Sequence, residues 1–132
     1  PPAPEALEEI SKQTSRWFGF LHQHKVKGSR FVTVDQDDDS KDTLKGILDL
    51  VSPLPVWMVN ETGRGYHVIL DVSKPSDAQY FYAPGEGGKP SLSKRIADSF
   101  ANVEIQNDSQ EPIPGTSVGY GKSELKFITI LQ

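Results

Sequence analysis

Hydrophobic positions along the chain change period several times, and each change marks an element. Leu7, Ile10, Thr14, Trp17, Phe18 and Leu21 recur at spacings of three and four, which predicts an amino-terminal helix over Pro4 to about His24, with residues 1–4 flexible. Glu5, Glu8 and Glu9 fall in its first turns, where the helix dipole favours negative charge. A basic turn, Lys25 to Arg30, leads into Phe31-Val-Thr-Val-Asp35, whose β-branched, apolar character predicts a buried strand. An acidic loop follows from Gln36 to Ser40. Ser40 suits a helix N-cap, and Leu44, Ile47, Leu48 and Val51 mark one face of a helix that Pro53 and Pro55 end.

Val56 to Asn60 and Tyr66 to Val72 predict two more strands, and the short linker Glu61-Thr-Gly-Arg-Gly65 makes them an antiparallel hairpin. The Pro/Gly-rich stretch from Pro75 to Pro90 is read as part helix, with a loop from Ala83 to Pro90. Ser91 to Phe100 is amphipathic, with Leu92, Ile96 and Phe100 on one side. Asn102 to Gln106 and Leu125 to Leu131 complete the strands. With the amino-terminal helix set aside, the order is β-α-β-β-α-β plus an extra strand. That order predicts an α+β fold, the RRM-like split βαβ plan: a four-stranded antiparallel sheet with helices on one face and the other face free for a site, the strands of Asp35 and Glu104 adjacent at its centre.

Length and charge narrow the functional classes. A chain of 132 residues is expected to form a single domain over 1–132, and the absence of cysteine excludes disulfides and thiolate metal sites. Lack of cysteine also suits a reducing, intracellular setting. No apolar run approaches the roughly 18 residues of a membrane span. The start, Pro-Pro-Ala-Pro-Glu, has neither the basic nor the apolar part of a signal peptide, and without Met it is expected to be a processed or excised piece of a longer protein. The formal charge, 14 minus 18 or −4, argues against a large duplex-wrapping surface but suits clustered carboxylates.

Those carboxylates are the first candidate chemistry. Asp35 and Asp37 stand two apart at a strand end, so in an extended chain both point to one face. Hard divalent ions such as Mg²⁺ or Mn²⁺ take several oxygen ligands, and Glu104 on a neighbouring strand is the third candidate. The bland alternative is a solvated acidic loop, since Asp37, Asp38 and Asp39 form a run. In Thr62-Gly-Arg-Gly-Tyr-His67, Gly63 and Gly65 let backbone amides approach an anion, Arg64 adds positive charge, and His67 on the carboxylate face can contact a phosphate. Its alternative is a plain hairpin turn beside a surface histidine. Ile113-Pro-Gly-Thr-Ser117 and Gly119-Tyr-Gly-Lys122 form a turn-rich loop that could line a nucleotide pocket or simply connect two strands. His22 and His24 face opposite ways on a helix; only an extended chain would give them a two-histidine metal spacing.

Taken together, these segments resemble the archaeo-eukaryotic primase superfamily, especially plasmid and viral primase–polymerase domains. Phe31-Val-Thr-Val-Asp-Gln-Asp37 is similar to its strand ending in Asp-x-Asp. Thr62-Gly-Arg-Gly-Tyr-His67 is similar to its Thr/Ser-Gly-x-Gly-x-His stretch. Val103-Glu-Ile-Gln106 and then Pro114-Gly-Thr116 look like its acidic strand and following loop, with Glu104 where that family usually has Asp. The resemblance, over about Phe31 to Phe127, implies a DNA primase or polymerase. It assigns Asp35, Asp37 and Glu104 to metal and catalysis. Thr62, Gly63, Arg64, Gly65, His67 and Lys122 are the nucleotide-binding candidates. Template, nucleoside triphosphates and a helicase or accessory domain are the implied partners. Two rivals share the fold class: a non-catalytic single-strand or protein-binding module using Trp57, Tyr66, Tyr80 and Tyr82, and a rolling-circle nicking domain using His22 and His24.

Overall fold

A computed structural model of the chain describes residues 19–24, 29–108, 110–112, 117–120, 124–127 and 129–130. In chain order these form β1 (Gly19–Leu21), β2 (Gln23–His24), β3 (Ser29–Gln36), α1 (Lys41–Leu50), β4 (Val56–Glu61), β5 (Tyr66–Asp71) and α2 (Pro75–Tyr82). A short 3-10 turn over Glu86–Gly88 leads to α3 (Leu92–Ser99), β6 (Val103–Gln106), β7 (Gln110–Pro112), β8 (Ser117–Tyr120), β9 (Glu124–Phe127) and β10 (Thr129–Ile130).

The main sheet is built around β3. This strand pairs antiparallel with β5 on one side and β6 on the other, and β5 pairs antiparallel with β4. The order β4-β5-β3-β6 is that of a split βαβ sheet. β10 extends it beyond β4, while β2 shares the β6 side of β3, alongside residues 29–30. β6 is therefore an outer partner of β3, not a second central strand. The pairs β1–β7 and β8–β9 form separate two-stranded ribbons.

Alternation along β3 sorts its side chains. Val32 and Val34 join Val59, Val68, Leu70 and Val103 in a core closed by Ile47 and Val51 at the end of α1, Phe81 of α2, and Leu92 and Ile96 of α3. Each such side chain contributes roughly 1.5–3 kcal/mol when fully buried. The caps follow the sequence: Ser40 Oγ accepts the Thr43 amide at the start of α1, and Ser91 Oγ accepts that of Lys94 at the start of α3. The register shifts between Val56 and Met58, so β4 gains a residue at Trp57. The bulge lets Trp57 stack near Phe31, ring centroids 4.8 Å apart, while Met58 packs with Phe31 and Ile69.

Two further expectations are corrected. Gly19 to His24 is extended, not helical: the His22 carbonyl accepts the Phe31 amide at 2.6 Å and the His22 ring pairs with Thr33 Oγ1 at 2.8 Å. Pairing with β3 and β7 overrides a helical period, as tertiary context commonly does; the rest of the expected helix, residues 4–18, lies outside the described residues. The side of the sheet away from the helices is not bare, since Thr33, Met58, Asn60 and Ile69 on it are fully buried. Of the last predicted strand, Leu125 to Leu131, the described residues fall in β9, which pairs with β8, and in β10, which joins the main sheet. Among the described residues no helix is long and apolar enough to cross a membrane.

The β4–β5 turn seats on the end of β3. Gly63 has φ 86°, in the left-handed region. At Gly65 an added Cβ would lie 1.9 Å from the Gln36 carbonyl oxygen and 2.6 Å from that of Asp38. Gly65→Ala is therefore expected to lose about 2–3 kcal/mol of stability, measured by urea unfolding, because two backbone segments must separate to admit one methyl group.

Candidate functional site

The end of β3 gathers the polar residues. Asp35 stands in register with His67 of β5 on one side and Glu104 of β6 on the other, and His67 is in register with Asn60 of β4. Side chains in register share a face, so Glu104, Asp35, His67 and Asn60 form one row across four strands, on the side away from the helices. This is the placement the sequence predicted for Asp35, His67 and Glu104. Burial deepens along the row: Glu104 is exposed, Asp35 half-buried, His67 largely buried and Asn60 fully buried.

The Asp35 carboxylate meets two neighbours. His67 Nε2 lies 3.2 Å from Oδ1, and Gln106 Nε2 donates to Oδ2 at 3.1 Å. Asp37 lies just past the strand, where its amide donates to the Asn102 carbonyl, and its exposed carboxylate takes Arg64 Nη2 at 2.8 Å. Surface pairs of this kind contribute only about 0–1 kcal/mol. Asp35, Asp37 and Glu104 line one cavity of about 200 Å³ together with Asn102. The donor set is hard oxygen and suits Mg²⁺ or Mn²⁺. Among the described residues the three do not close into a preformed metal cage.

Within the run of aspartates, Asp37 and Asp38 divide by role. Asp38 ties the loop down: Oδ1 accepts Gln36 Nε2 at 2.8 Å and the Ser40 amide at 3.0 Å, and Oδ2 accepts Asn102 Nδ2 at 3.1 Å. These bonds, that from Gln36 foremost, hold its carboxyl below the usual carboxylate range. The buried Gln36 amide also donates to the carbonyls of Asp38 and Ser40. Gln36 therefore sets the path of the loop that carries Asp37.

In the turn, Thr62 and Gly65 hold each other: the Gly65 amide donates to Thr62 Oγ1 at 3.2 Å, and the Thr62 amide to the Gly65 carbonyl at 3.0 Å. Thr62 and Gly65 are buried, whereas Gly63 and Arg64 are exposed at the tip. The space beside Gly65 is filled by the backbone of Gln36 and Asp38, so this glycine serves packing rather than an anion's approach. Lys122 and the Pro114-Gly-Thr116 loop lie outside the described residues. Among the rival candidates, Tyr66 is buried, Tyr80 and Tyr82 belong to α2, and His22 is bound to Thr33, which leaves Trp57 against Phe31. A larger cavity of about 560 Å³ beside Tyr80, Lys89 and Arg95 lies between α2 and α3, apart from the carboxylates.

Asn60, Gln36, Asn102 and Gln106 were not singled out by the sequence reading. Asn60 had one signal, a lone amide ending the apolar run Val56-Trp-Met-Val. Both its amide nitrogen and its amide oxygen are buried without a hydrogen-bond partner among the described residues. Each such unmade bond costs about 1–3 kcal/mol.

Comparison of the chain with family models, curated proteins and solved structures gives no match.

The depressed Asp38 carboxyl has a pH signature. Its contribution is complete above the unfolded-state value near 4 and is lost as pH falls through the lower folded value. Asp38→Asn is expected to lower the melting temperature at pH 7. Its melting temperature should then fall less steeply than that of the parent below about pH 4. Thermal unfolding of both proteins from pH 2 to 7 measures the difference.

Proposed function

We propose that this domain is a metal-dependent nucleotidyltransferase of the primase–polymerase kind, joining nucleotides on a nucleic-acid template. The observation that supports it most is the register of Glu104, Asp35 and His67 on three adjacent strands, with Asp37 lining the same cavity. The resemblance read from the sequence falls on those same four residues.

In this reading Asp35, Asp37 and Glu104 would hold Mg²⁺ or Mn²⁺. Bound there, the metal would help ionise an attacking 3′-hydroxyl and stabilise the departing pyrophosphate. Arg64, paired with Asp37 in the free protein, is exchangeable and can turn its planar fork to a phosphate. His67 adjoins the carboxylates and supplies a donor to the phosphates of the incoming nucleotide. Gln106 orients Asp35 from β6. A template strand, nucleoside triphosphates and a helicase or accessory domain are the expected partners, in an intracellular setting. A simple single-strand binder is the weaker reading, because it needs several aromatics on the sheet face and Tyr66, Tyr80 and Tyr82 are elsewhere.

Metal binding, nucleotide binding and primer extension test this reading. Mn²⁺ titration should show binding that an Asp35→Ala/Asp37→Ala double variant loses; equal binding by both proteins rejects the metal site. Arg64→Ala should raise Mn²⁺ affinity by up to about fivefold, by freeing Asp37, while weakening nucleotide binding. With a primed template, Mn²⁺ and nucleoside triphosphates, the protein should extend the primer. His67→Ala should reduce nucleotide use by about 10- to 150-fold, as expected for a lost charge-assisted hydrogen bond, and Asp35→Ala should reduce it further.

A further inference from the structure

Asn60 is the fully buried member of the row. Its side chain is fully buried, and neither end of its amide has a hydrogen-bond partner among the described residues. Asparagine is disfavoured in strands; on its face Met58 precedes it on its own strand, and on the next strand Ile69 lies beside His67, the residue with which Asn60 is in register. A leucine would satisfy this position without an unmade bond. A native chain that keeps an unpaired amide in a strand interior, in register with a candidate catalytic histidine, points to a ligand that completes it.

We infer that Asn60 binds a sugar hydroxyl of the nucleotide, and so makes the site sensitive to the sugar; the inference rests on the nucleotide-binding reading given above. The order of the row supports this assignment. Strands are spaced by about 5 Å, so Glu104, Asp35, His67 and Asn60 follow one another at that interval. A nucleoside triphosphate whose phosphates lie over the carboxylates and His67 carries its sugar toward the next strand. A hydroxyl both donates and accepts, and an amide offers an oxygen to accept and a nitrogen to donate. Asn60 is buried in the free protein, so the sugar must displace what covers it. The bonds gained, which the free protein lacks, favour that exchange.

The experiment compares binding of a ribonucleoside triphosphate and its 2′,3′-dideoxy analogue, both with Mn²⁺, to the parent protein, Asn60→Leu and Asn60→Ala, alongside the melting temperatures of the ligand-free proteins. The parent is expected to bind the hydroxylated nucleotide about 10-fold more tightly, the effect of one hydrogen bond to a site that is otherwise unpaired. Both variants should bind the two nucleotides equally, and ligand-free Asn60→Leu should melt no lower than the parent. Variants that keep the parent's preference, or a parent with no preference, overturn the inference. So does Asn60→Leu that melts lower or fails to fold, since its amide is then already satisfied by water. A parent that binds neither nucleotide refutes the nucleotide-binding reading itself, a result distinct from the others.

Discussion

The register of β3 is the constraint on which the site depends. Because Asp35 faces His67 on one side and Glu104 on the other, a slip of one residue in either pairing would turn the carboxylate toward the helices and expose Val34. The register is held by the core rather than by the site. Val32 and Val34 are fully buried against side chains from all three helices, and the helix caps at Ser40 and Ser91 start α1 and α3 where those side chains can reach. The acidic row is thus placed by apolar packing on the opposite face.

Local polar bonds then refine what packing places. Gln36, inward-facing and polar at the end of an apolar strand, spends its amide nitrogen on three oxygens of the loop that follows. Asp38 answers with bonds to Gln36, Ser40 and Asn102, so β3, the start of α1 and the approach to β6 share one knot. Asp37 emerges from that knot exposed, and Arg64 neutralises it from the neighbouring turn. Side chains that hold the loop and those that face the cavity alternate along a stretch of only a few residues.

Much of this was legible in the sequence because it rested on period and spacing. The apolar run ending at Asp35, the hairpin signalled by Gly63 and Gly65, and the amphipathic spacing of Leu92 and Ile96 each carried a local signal. Together they gave the split βαβ order and the common face of Asp35, His67 and Glu104. The misread segment, Gly19 to His24, had a helical spacing but pairs through β2 with β3 in a local hairpin and through β1 with β7, a partner remote in sequence. The tasks of Gln36, Gln106 and Asn60 were hidden for a similar reason. An amide's role depends on what other strands bring to it, and no periodicity reports that. Equally, Gly65 looked like a place for an anion because composition cannot tell a cradle from a packing contact.

That packing contact also bears on how the site can move. With the Gly65 backbone pressed against the carbonyls of Gln36 and Asp38, the turn and the acidic loop lack the clearance to shift independently. They behave as one stiff jaw. Adaptation to ligands of different size then falls to the exposed side chains of Arg64 and Glu104, which turn by rotamer changes on the picosecond-to-nanosecond scale. Such a site selects by the swing of side chains and keeps its backbone outline fixed.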